Sequence, residues 1–209
     1  MQKVFFILFF TFVVVNCFAQ SFEGKITYTN TYKSKFPNLT DEQLTEMMGT
    51  SFEYFFKAAN YKTQSNGTLM QWQLYNANEN KLYSKLSTSD SAIWNDVTVN
   101  PDTVFTAEVH LRVKEILGYS CDELILTCKS GVQKYYYSSK LPLDPMLFQK
   151  HLLGNWYEYI KVAKAIPLKM IIDSPQFIME STATAVDPAK LEAKFFLLPE
   201  GLKTIKSPY

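Results

Sequence analysis

Apolar and polar residues alternate with a period of two along most of this chain, as in strands that bury one face. Phe22, Ile26 and Tyr28 mark a first strand over 21–32, and Phe52, Tyr54 and Phe56 mark a second. Short strands are predicted at 61–65, 69–75, 81–86 and 92–97, with turns at Asn66-Gly67 and in the Asn-rich stretch 76–80. Longer strands follow at 104–116, 119–128 and 132–139, with Gly118 read as a bulge or bend. A hairpin of 168–173 and 176–185 turns at Ser174-Pro175, and 195–198 is a last short strand.

The period lengthens to that of a helix in a few places. Thr40 with Gln43 makes a capping box, Asp41 and Glu42 favour a helix N-terminus, Leu44, Met47 and Met48 form the apolar stripe, and Gly49 stops the helix. Asp144 as cap, Pro145 at the first helical position and Gly154 at the end predict a helix over 145–153. Asn155, with Glu158 three residues on, predicts another over 156–165, ended by Pro167. A short helical turn fits 188–193.

Strands, two inserted amphipathic helices and strands again describe an α+β protein: a long antiparallel sheet, strongly curved into a half-barrel, under a helical lid. The mouth of such a sheet is a ligand site. Its expected lining is Phe52, Tyr54, Phe56, Trp72, Tyr135, Tyr137, Phe148, Leu152, Trp156, Tyr159, Met170 and Ile172. Aromatics so placed bind lipids, peptides or glycans, and they also serve as ordinary core packing.

The N-terminus departs from these patterns. Lys3, an apolar run from Val4 to Val15 and then Cys17-Phe18-Ala19 read as an export signal cut after Ala19, because about 12 apolar residues are too few to span a membrane. Asn16 stands where a lipoprotein signal has a small residue before its cysteine, which favours this cut over lipidation at Cys17. The expected organisation is therefore a signal peptide at 1–19 and one domain over 20–209, exported to the periplasm or outer envelope, with no transmembrane segment after cleavage.

Charge narrows the partners. The chain has 21 basic and 20 acidic residues, and cleavage removes one base, Lys3, and no acid, so the mature protein is about neutral. With Arg112 as its only arginine, it lacks the clustered cations that nucleic acid or an anionic surface attracts, and no nucleic-acid partner is expected. Cys121 and Cys128 flank a continuous strand that sets them about 20 Å apart on opposite faces, so they are read as free thiols.

Candidate chemistry is sparse. His110 and Cys121 on adjacent strands could form a Cys/His pair, but a strand histidine is ordinarily a half-exposed sheet residue, and no catalytic residue is assigned. The two histidines, His110 and His151, and the two cysteines lack the spacing of a zinc site, and no phosphate loop or nucleophile elbow occurs; no metal or cofactor is expected. Asp90-Ser91-Ala92 and Asp102-Thr103-Val104 resemble bacterial O-glycosylation acceptors at Ser91 and Thr103.

Ile116-Leu117-Gly118-Tyr119-Ser120-Cys121, Tyr135-Tyr136-Tyr137, Ala165-Ile166-Pro167-Leu168-Lys169-Met170-Ile171 and Phe195-Phe196-Leu197-Leu198-Pro199-Glu200-Gly201 resemble the exported GLPGLI-type proteins over about 104–203. The signature itself survives here only as Ala165-Ile166-Pro167-Leu168-Lys169-Met170, with the proline and an apolar strand but no glycine. In layout the chain is similar to the LolA-like lipoprotein carriers, periplasmic half-barrels that hold acyl chains. That resemblance implies a non-catalytic module binding a lipid or lipoprotein acyl chain. A structural or assembly partner of another envelope protein is the alternative, and a Cys121/His110 hydrolase the third.

Overall fold

The computed structural model describes residues 21–208; the export signal expected at 1–19 lies outside them. Twelve strands form one sheet: β1 Gly24–Ser34, β2 Ser51–Lys57, β3 Asn60–Ser65, β4 Met70–Asn76, β5 Lys81–Leu86, β6 Ala92–Asp96, β7 Val104–Ile116, β8 Tyr119–Cys128, β9 Gly131–Pro142, β10 Ala165–Asp173, β11 Phe177–Pro188 and β12 Thr204–Lys206. Their spatial order is β12-β6-β5-β4-β3-β2-β1-β11-β10-β9-β8-β7. Every pairing is antiparallel except that of β12 with β6, which makes the sheet mixed.

Two helices accompany it, α1 Asp41–Met48 and α2 Trp156–Ala163. The capping box read at Thr40 is present in both halves, Thr40 Oγ1 accepting from the Gln43 amide and Gln43 Oε1 accepting from the Thr40 amide. The chain from Pro145 to Asn155 is not a helix of nine residues. It holds a four-residue 3-10 turn, Pro145–Phe148, then a tight bend where Gly154 and Asn155 take positive φ of 67° and 63°. Leu152 and Leu153 both donate their N–H to Val97 O, which ties this segment to the end of β6 instead of to a helical ladder.

The bend and α2 form a plug in the main core. Phe148, Tyr159 and Ile160 are fully buried in it, together with Ile26 and Phe56 of the near strands and Leu124 and Leu126 of the far ones. Tyr61 of β3 and Tyr135 of β9 stand five strands apart, about 24 Å in a flat sheet. Two rings of the plug connect them: Tyr61 to Trp156 at 5.9 Å, Trp156 to Tyr159 at 5.5 Å and Tyr159 to Tyr135 at 4.2 Å. The sheet bends across the plug so that both arms pack on it.

The α+β half-barrel beneath a helical lid is therefore corrected. The described residues are mostly β, one open mixed sheet of twelve strands with two short helices, and the second helix fills the core in place of covering a mouth. The physical reason is ring volume: the aromatics expected to line a space occupy it themselves.

The outer face carries a second, smaller cluster. Leu74 and Tyr83 are buried there under Phe196, with Phe55, Trp72, Trp94 and Leu191 packed around them. The segment after β11 crosses this face through a 3-10 turn at Ala193–Phe196 and ends as β12. No strand forms at 195–198, and Phe55 and Phe195 meet edge to face at 4.8 Å.

Candidate functional site

Register decides which side chains share the inner face. Tyr54 pairs with Ile26 on β1 and Thr63 on β3, Asn30 with Ser181 on β11, Ser181 with Met170 on β10, and Met170 with Tyr135 on β9. These positions form one wall running across the sheet. Near the plug the wall is closed aromatic core: His151 stacks on Tyr61 at 5.7 Å and lies 4.4 Å from Tyr75, and Phe148 lies 6.1 Å from Tyr75. Around Tyr54 it loosens. Tyr54, Trp156, Ile172 and Met179 are only half-buried, although each lies on the inner side.

Ten of the twelve residues expected as lining come together in the main cluster: Phe52, Phe56, Tyr135, Tyr137, Phe148, Tyr159 and Met170 buried, and Tyr54, Trp156 and Ile172 partly so. Trp72 is on the outer face with Leu74, so it cannot line the same wall. Leu152 is half-buried in the bend and is held by its backbone bond to Val97.

What sequence reasoning missed is a set of buried polar atoms with no partner: Asn30 Oδ1, Tyr32 OH, Thr63 Oγ1, His151 Nδ1 and Trp156 Nε1. Asn30, Thr63 and His151 are only 3%, 1% and 2% exposed. A buried polar atom left unpaired costs about 1–3 kcal/mol, and native folds keep few of them. The available signal was Asn30 and Tyr32 on the apolar side of β1, in step with Ile26 and Tyr28.

The hydroxyls here are strongly desolvated. Burial pushes Tyr54 up to about 12 and raises Tyr28 and Tyr61 well above the ordinary range. Burial also raises Tyr32, the Asn30 amide partly countering it, yet neither side-chain atom finds a partner at hydrogen-bonding geometry. Burial lowers His151 to about 4, so the ring is neutral. Its Nε2 shares a 2.8 Å hydrogen bond with Tyr61 OH, and in either tautomer Nδ1 is left unpaired.

The other candidates lie apart. His110 is exposed on β7 opposite Glu123, whereas Cys121 faces Lys114 across a bulge in that ladder. Burial raises the Cys121 thiol and pushes Cys128 up to about 11. Both of these cysteines are free and buried, so in the chain starting at Gln20, which lacks Cys17, a thiol reagent should react with neither in the folded protein and titrate two on denaturation. Ser91 is half-buried after β5, and Thr103 is exposed beside Asp102. Asp102 itself is engaged: it accepts from Ser130 and from Asn155 Nδ2 at 2.7 Å, and these bonds hold its carboxyl below the ordinary range against the opposing effect of burial.

Among the described residues no cluster of ligands suits a metal, and no helix is long and apolar enough to cross a membrane.

No family model matches the chain, and no curated protein matches its sequence. Among solved structures it is similar in shape to an uncharacterized conserved protein from Thermus thermophilus, at 8% identity and a TM-score of 0.49 over 88% of this chain and 91% of that one. It is also similar to PNGF-II in two crystal forms, at 12% identity and TM-scores of 0.46 and 0.47 over 88% of this chain. The match takes in 30% and 31% of the PNGF-II chain. No functional residue is carried over from either.

Proposed function

We propose that this chain is a non-catalytic binding module, exported to the periplasm or outer envelope of a bacterium, that holds an apolar ligand such as a lipid or lipoprotein acyl chain. The ligand lies against the inner wall around Tyr54, between β1–β3 and the plug. One observation carries this reading: Tyr54, Trp156, Ile172 and Met179 are only half-buried although they lie on the inner face of the sheet, against the apolar core. Concave apolar walls are how small-molecule sites are built, and an apolar ligand covers the area that these side chains leave open.

The test is titration of the full exported chain with the neutral apolar dye N-phenylnaphthylamine, followed by native mass spectrometry of the purified protein. Saturable fluorescence and a co-purified lipid are the expected results. A dye signal no greater than that of a denatured control, with no bound lipid, contradicts the reading.

A second reading, a structural or assembly partner of another envelope protein, is favoured by β7. This edge strand of 13 residues is exposed almost throughout, and Phe105, Val109, Leu111 and Val113 present apolar side chains. Exposed apolar edges are templates for pairing with another strand. Under this reading Leu111→Lys with Val113→Lys abolishes co-purification of an envelope protein and leaves dye binding intact; co-purification unchanged by the pair would count against it.

A further inference from the structure

We infer that β7 is a dimer edge, at which two copies of this chain pair their β7 strands antiparallel about a two-fold axis at Leu111. This pairing does not depend on the apolar ligand, and it gives the edge offered above to another envelope protein a different occupant, a second copy. Five of the ten exposed large apolar side chains among the described residues fall between 105 and 117, and their positions are symmetric about the central one. Phe105 and Leu117 stand six residues either side of Leu111, and Val109 and Val113 stand two. Antiparallel pairing about Leu111 therefore sets Val109 of each copy opposite Val113 of the other, Phe105 opposite Leu117, and the two Leu111 side chains together. Charge follows the same symmetry. Glu108 and Lys114, three residues either side, fall opposite one another twice, and no carboxylate opposes another, since Glu115 meets Ala107.

The place of β7 in the sheet suits such a contact. It is the last strand, so alternate residues point their N–H and C=O away from β8. Ala107 and Val109 lie across from the buried Leu126 and Leu124, so these odd positions continue the apolar inner face past its end. From His110 to Lys114 the strand advances four residues while β8 advances two, Glu123 to Cys121, and the even excess keeps the alternation in step. This bulge lies at the two-fold axis. It leaves a ladder on each side, 106–109 of one copy with 113–116 of the other, with the Leu111 pair between them and Phe105 and Leu117 closing the ends. The opposite edge of the sheet, β12, has three residues and cannot cover a strand of 13, so copies do not chain head to tail and the contact closes at two.

Sedimentation equilibrium of the full exported chain, from about 5 to about 200 µM, reads the assembly. A dimer is expected, and Leu111→Lys, at an exposed position, should raise its dissociation constant about tenfold or more with the native circular dichroism retained. Glu108→Lys and Lys114→Glu each set like charges opposite one another twice, so each should weaken the dimer about fivefold or more, and the double variant should restore most of the affinity. Lys114 also lies over the Tyr136 ring of its own copy at 4.3 Å, so the restoration, and not the loss in that single variant, reads the register. A wild type that is monomeric across the range overturns the dimer; if it carries another envelope protein that Leu111→Lys releases, the edge belongs to that partner. A dimer unaffected by Leu111→Lys has its contact elsewhere. One weakened by Leu111→Lys, in which the double charge variant is no tighter than the two singles, is not paired about Leu111.

Discussion

Phe148→Ala is expected to lower the unfolding free energy by about 3–5 kcal/mol, among the largest losses a single substitution can produce in this fold. Phe148 is fully buried and contacts Tyr75 at 6.1 Å and Trp156 at 6.4 Å, so truncation empties the contact between the plug and β4. The surrounding rings are fixed by strand register and cannot collapse into the space. Urea denaturation followed by circular dichroism reads the loss as a lower midpoint at unchanged slope. A cost under about 1 kcal/mol would mean that the plug covers the sheet loosely and is not part of its core.

Stability should also fall as the pH is lowered from about 6.5 to about 4, by up to about 3 kcal/mol from His151 alone. The folded ring resists protonation until about pH 4 because it is desolvated between Tyr61 and Tyr75, whereas the unfolded ring takes its proton near 6.5. Between those values the unfolded chain binds the extra proton, so acid pulls the equilibrium toward it. The stabilisation is whole above 6.5 and lost below 4. His151→Leu should flatten this part of the profile while leaving the steeper fall at lower pH, where Glu23, Asp96 and Asp102, all held below their ordinary values in the fold, take up protons. Identical wild-type and variant profiles between pH 4 and 6.5 would contradict the burial of a neutral imidazole.

The strands were legible because their chemistry is local. Alternation and turn residues placed β2, β5, β7 and β8 within a residue or so, and the capping box placed α1. Gly118 was legible as an interruption but not as its kind: Leu117 and Gly118 take positive φ in a tight hairpin turn, and the bulge lies instead at Arg112, whose N–H donates to Asp122 Oδ1 at 2.8 Å. The segment 145–155 starts as read, Asp144 Oδ1 accepting from the Met146 amide with Pro145 at the first helical position, but its bonds to Val97 end the helical turn after Phe148. Asn155, placed as a helix cap, turns its amide to Asp102 and Asn100 and makes no capping bond.

The wall itself was half legible. Alternation says which residues share a face, not which face is inward, and β4 is apolar on both: Tyr75 belongs to the inner cluster, Trp72 and Leu74 to the outer. Nor can one strand's sequence announce that Asn30, Tyr32 and Thr63 will lack partners, because that depends on what β11, β3 and the plug bring opposite them.

The most direct test of the inner wall as a binding site is dye titration of Ile172→Lys beside the wild type. A charge among the half-buried side chains there should weaken N-phenylnaphthylamine binding about tenfold or more, with the native circular dichroism retained. A folded variant that binds the dye as tightly as the wild type would show that this wall holds no apolar ligand.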